Sequence, residues 1–193
     1  DTERNIPLVW KEASDHKGIP IETCNARLIA EAELLSKIEH ERIPKMFAAG
    51  QIIDSNGRTV EVMIEEFIQG PTLSEVLQRN EKIDAVIPIG KVLEWINSLC
   101  DPLTHILTSE GIWHRDLKPA NIIVGDVLGP VLIDFGIAKE QEIDYTRQTS
   151  AIFMSGTWSP PERSDGVSGG FTDVYSLGKI MYALIVSKPF AKA

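Results

Sequence analysis

Cysteine is scarce in this chain of 193 residues, with Cys24 and Cys100 the only two. They form no C-x-x-C pair, which argues against a disulfide framework and a cysteine metal site and suits a reducing compartment. Long apolar runs are missing too. No stretch reaches the length of a membrane span and the start carries no signal peptide, so a cytoplasmic chain without a membrane segment is expected. Positive charge is in deficit, with 19 Lys and Arg against 28 Asp and Glu for a net charge of -9. That balance speaks against general nucleic-acid binding and against a basic membrane patch. No G-x-G-x-x-G occurs anywhere in the sequence. What remains is ordinary globular composition, 43% hydrophobic and 24% charged, in a chain long enough for one domain or two lobes around a substantial core.

The densest chemistry lies in His114-Arg115-Asp116-Leu117-Lys118-Pro119-Ala120-Asn121, followed by Asp134-Phe135-Gly136. Between them Ile122-Ile123-Val124 and Val131-Leu132-Ile133 flank the turn 125–130, which reads as a tight hairpin. Such a hairpin brings Asn121 and Asp134 to one mouth. Both offer oxygen ligands of the kind Mg²⁺ takes one or two at a time, its other positions filled by water and substrate phosphates. Asp116 is a carboxylate able to accept or orient a hydroxyl proton. Lys118 is a fixed positive charge suited to steadying a moving phosphoryl group. A polar loop holding these residues by chance is the bland alternative, and two motifs in order at this separation weigh against it.

In these motifs the chain resembles the eukaryotic-like (Hanks-type) protein serine/threonine kinases, with the H-R-D-L-K-P-A-N and D-F-G patterns of that family. The style of residues 132–139 resembles bacterial members, and the Lys of the loop resembles the Ser/Thr branch. The resemblance implies an α+β, two-lobed fold: a small β-rich lobe over residues 1–69 and a mainly helical lobe over 70–193. It implies ATP and Mg²⁺ as cofactors, Asp116 as base, Lys118 as transition-state support, and Asn121 and Asp134 as metal ligands. Leu8-Val9-Trp10-Lys11 matches the V-A-I-K strand, so Lys11 is expected to reach the phosphates, with Val9 against the adenine. By itself, this run reads as an edge strand ending in a solvated lysine.

The stretch 26–39 reads as a helix capped by Thr23 or Asn25, with Leu28, Leu35 and Ile38 on one stripe. Glu31 falls beside that stripe. The family reading pairs it with Lys11, whereas Glu33 is explained by Lys37 four residues on. An Asn-Gly turn at 55–58 joins two strands, the second spanning 59–68. Residues 65–70 resemble the hinge between kinase lobes, where Glu66 and Ile68 face the adenine by their backbones, and Ile123 belongs to the same nucleotide set. Glu65 stands at the back of that pocket, where an apolar or threonine side chain is commoner, and the sequence does not show what its charge meets. Helices are expected at 74–79 and at 88–109, the latter bent at Pro102 and ended by Gly111. His114 reads as a packed structural residue. Residues 171–178 resemble the buried central helix of the family's large lobe, a resemblance that implies Asp173 as an acceptor for the catalytic-loop backbone.

Residues 136–156 resemble an activation loop, with Thr146, Thr149, Ser150 and Ser155 as phosphorylation candidates and Arg115 as the partner of the phosphate. Residues 156–162 resemble the end of that loop. The glycine-rich loop and the last helices of the family are not in the sequence, which suggests the middle portion of a kinase domain. The function expected is ATP-dependent phosphorylation of protein Ser/Thr hydroxyls, with self-association for autophosphorylation. Two rivals stand beside it: a weak or inactive kinase serving as a binding module, and a small-molecule phosphotransferase of related fold.

Overall fold

A computed structural model describes residues 7–15, 19–135, 139–140, 156–161 and 169–189. The first half of the chain builds an antiparallel sheet. Strands β1 (Leu8–Glu12), β2 (Met46–Ile53) and β3 (Thr59–Glu66) lie in the order β1-β3-β2. The β2–β3 connection is the expected Asn-Gly hairpin. The Asp54 carboxylate accepts the N–H groups of Asn56 and Arg58 at 2.8 and 2.9 Å, and Gly57 takes φ 76°, which glycine adopts at little cost. β3 stops at Glu66, two residues short of the expected strand.

Helix α1 (Ile21–Leu35) packs against this sheet through Leu28, Ala32 and Leu35. It opens earlier and closes earlier than the sequence suggested. The Pro20 carbonyl accepts the Thr23 and Cys24 N–H groups and so starts the first turn, with no side-chain cap. Asn25 does not cap the helix. Its amide instead bridges to β3, donating to the Thr59 carbonyl at 3.0 Å and accepting from the Glu61 N–H at 2.9 Å.

The second half is mainly helical. Helix α2 (Leu73–Ile83) opens on a capping box of Thr72 and Glu75, worth about 1 kcal/mol, and runs four residues past the expected end before Asp84 closes it in the left-handed conformation. Helix α3 (Ile89–Glu110) runs undivided through Pro102, and Gly111 closes it in the left-handed conformation at φ 67°. After the short strand β4 (Ile112–Trp113) come the hairpin strands β5 (Ile122–Gly125) and β6 (Gly129–Leu132); the two-residue β7 (Lys139–Glu140) pairs with β4. Helix α4 (Gly170–Val186) closes the described order. Val92, Leu99, Ile106, Ile122, Leu132, Phe135, Ile180 and Leu184 form the buried centre that α3, the hairpin and α4 share. The architecture is α+β, a sheet half and a helical half. No helix among the described residues is long and apolar enough to cross a membrane.

Candidate active site

The loop after β4 is shaped from behind by α4. Asp173 is almost fully buried, and its two carboxylate oxygens accept the N–H groups of His114 and Arg115 at 2.9 and 2.8 Å. These two bonds hold Arg115 at φ 64°, a conformation uncommon for a side chain with a Cβ. Burial raises the pKa of Asp173, against the opposing pull of His114 and of the two N–H donors. His114 is fully buried, with its ring 4.9 Å from that of Phe135, which is the packing role read for it.

Forward of this anchor the polar side chains converge. Lys118 Nζ lies 2.5 Å from Asp116 Oδ2, and Asn121 Nδ2 donates to the same oxygen at 3.1 Å and to the Asp116 carbonyl at 3.0 Å. A single turn of 3₁₀ helix, Pro119–Asn121, presents Asn121, whose carbonyl accepts the Ile133 N–H at 2.9 Å. The β5–β6 hairpin thus brings Asp134 next to Asn121, as the hairpin reading required. With its amide nitrogen committed to Asp116, Asn121 offers its remaining side-chain oxygen. Asp134 is exposed at φ 65°. One amide oxygen and one carboxylate make a hard donor pair of the kind Mg²⁺ uses together with phosphates and water.

The other wall comes from the sheet. Lys11 Nζ lies 2.8 Å from Glu31 Oε1 on α1, the expected pair, and 3.1 Å from Glu65 Oε1 on β3, a partner the sequence did not reveal. Both glutamates are 5% exposed. Burial works against the Lys11 charge, but the two carboxylates more than offset it and its pKa lies above the ordinary lysine value. Burial pushes Glu65 the other way, above the usual carboxylate range; Lys11 opposes the rise, while Glu31 and Asp134 add to it. Glu31 has a second duty that sequence reasoning missed. Its Oε1 also accepts the Phe135 N–H at 3.1 Å, tying α1 to the segment that carries Asp134.

The remaining nucleotide candidates line the junction of the two halves. Val9 is opposite Glu65 in the β1–β3 register and lies on the Lys11 face of the sheet. The Glu66 N–H is taken by the Lys45 carbonyl at 2.8 Å, so its carbonyl is the group left to the hinge. The Ile68 N–H makes no bond within the described residues. Ile123 bridges to Thr72 just past the hinge, where Gly70 adopts φ 146°. A Cβ on Gly70 would sit 2.3 Å from the Val124 carbonyl oxygen, so only glycine fits there. Gly136, Glu162 and the loop positions Thr146, Thr149, Ser150 and Ser155 lie outside the described residues.

With that geometry in place, comparison with known proteins defines the class. The protein kinase domain family matches residues 2–193, and the chain belongs to it. It is 30% identical over 172 residues to a probable serine/threonine-protein kinase PknB of Corynebacterium glutamicum, an alignment covering 84% of this chain and 25% of that protein. It is 28% identical over 165 residues to serine/threonine-protein kinase PknB of Mycobacterium leprae, covering 84% and 26%. A probable serine/threonine-protein kinase of Clostridium acetobutylicum is 29% identical over 159 residues, covering 82% and 23%. The chain thus spans about a quarter of the length of the curated relatives it matches.

Proposed function

We propose that the chain carries the catalytic centre of an ATP-dependent protein kinase that phosphorylates Ser and Thr hydroxyls. The observation that carries this reading is the convergence of Lys118 and Asn121 on the Asp116 carboxylate, with Asp134 across the hairpin. The substrate hydroxyl gives its proton to Asp116 while its oxygen bonds to the γ-phosphorus. The bond from that phosphorus to the β–γ bridging oxygen breaks, and ADP leaves. Lys118 balances the charge on the transferring group, and Lys11 holds the α- and β-phosphates. Mg²⁺, when bound at Asn121 and Asp134, neutralises charge on the phosphates. Val9, Ile123 and the backbone of Glu66 and Ile68 hold the adenine.

The protein substrate, the cytoplasmic setting and self-association for autophosphorylation belong to the same reading. So does regulation by a phosphate on the loop, with Arg115 as its partner. An acidic chain of net charge -9 suits protein rather than nucleic-acid substrates.

The test is ADP release and phosphoprotein formation by the full chain, with Asp116→Asn and Asp134→Asn beside it. Asp116→Asn is expected to lower kcat by about 10²- to 10⁴-fold with nucleotide affinity preserved. Asp134→Asn is expected to remove Mg²⁺-dependent nucleotide binding. Full turnover in Asp116→Asn would refute the base assignment. Phosphorylation of small alcohols in preference to peptides would move the chain to the small-molecule class.

A further inference from the structure

Lys11 has more carboxylate around it than one ammonium needs. Glu31 alone would pair its charge, yet Glu65 reaches the same Nζ from another element. Burying a second carboxylate is costly, and a buried ion pair by itself is weak grounds for stability. An apolar side chain at position 65 would avoid that cost, so its presence calls for a reason in the work of the site.

The two glutamates hold the lysine in different ways. Glu65 and Lys11 stand on adjacent strands of one sheet. The register pairs Val9 with Glu65 and Lys11 with Met63, which makes Lys11 and Glu65 diagonal neighbours on the same face. Both backbones are fixed by the same ladder. Glu31 comes from α1, and its Oε1 is shared with the Phe135 N–H. A displacement of α1 or of the Asp134–Phe135 segment therefore loosens the Glu31 tether and leaves the Glu65 tether in place.

We propose that Glu65 is a second positioning residue for Lys11, holding its ammonium from within the sheet so that phosphate contact does not depend on helix α1 alone. The groups facing Glu65 are Lys11 from β1, Glu31 from α1 and Asp134 beyond β6. Burial raises the pKa of Glu65 and Lys11 opposes the rise, so the carboxylate is held at a cost that the geometry of the lysine accounts for. The proposal rests on the kinase reading for its consequence, but not for its first measurement.

That measurement is the rate at which Lys11 in the full chain is acetylated by acetic anhydride without nucleotide, followed by mass spectrometry. Either Glu31→Gln or Glu65→Gln alone is expected to raise the rate by no more than about threefold. The double substitution should raise it by about tenfold or more, because one remaining carboxylate suffices and none does not. In phosphotransfer, KM for ATP should follow the same non-additive pattern. If the double variant fails to melt cooperatively, Glu31→Gln/Glu65→Asp is read in its place, with an intermediate labelling rate expected. Equal labelling in Glu31→Gln and the double variant overturns the proposal. The expected labelling pattern in a chain with no phosphotransfer would keep the positioning role and sink the kinase reading.

Discussion

The two walls of the candidate site are built by opposite means. The wall of His114 to Asn121 is local in sequence and fixed through its backbone, with one carboxylate from α4 accepting two consecutive N–H groups. The wall of Lys11 is assembled from β1, α1 and β3 by the ends of long side chains, with one backbone N–H, that of Phe135, on the Glu31 oxygen. Backbone fixation gives a rigid loop whose geometry survives the loss of any one functional side chain. Side-chain assembly gives a charge whose position depends on where three elements stand, and so a site open to adjustment.

The contrast is sharpest at Asp173. Replacing it with Ala leaves two buried N–H groups without an acceptor, and we expect a loss of about 2–4 kcal/mol in urea unfolding. A loss near zero would show that the loop holds its shape without α4 and would break the comparison. Gly70→Ala tests the seam between the walls. The added methyl meets the Val124 carbonyl at a positive φ, and about 2 kcal/mol should be lost, with KM for ATP raised if the hinge carries the adenine. Glu65→Gln should give the smallest change in stability, and in the opposite direction. Because the folded state raises the Glu65 pKa, its ionised form costs stability above that pKa, and the cost disappears as acid protonates it. The variant should thus melt above the wild type at neutral pH, with the difference shrinking as pH falls. A wild type that is more stable than the variant at neutral pH would show that the Lys11–Glu65 ion pair more than offsets the cost of burying the carboxylate. Stability gained in the single variant, with function lost only when Glu31 is replaced as well, is the pattern expected of a side chain kept for the site.

Sequence reading went furthest where chemistry and structure are local. The hairpin between Asn121 and Asp134, the αL glycine at 111 and the Asn-Gly turn each rest on residues within a single short stretch of chain. Asp173 was legible at long range only because a resemblance supplied its role. The start of α1 was misread because Thr23 and Asn25 are good caps in isolation. Asn25 found β3 instead, an outcome decided by packing that no local preference encodes.

The sequence by itself determined the chemical inventory: which loop carries the carboxylate, lysine and amide, where the chain turns back on itself, and which faces are apolar. These follow from residue types and short spacings. Only the tertiary structure decided which charges meet. Glu65 had no visible partner, Glu31 no visible second bond and the Glu66 N–H no visible acceptor until β1, α1 and β3 were placed together. Ion pairs between residues 20 and 54 positions apart depend on the last few ångströms of packing, where the energy of a charge changes most steeply with distance and burial.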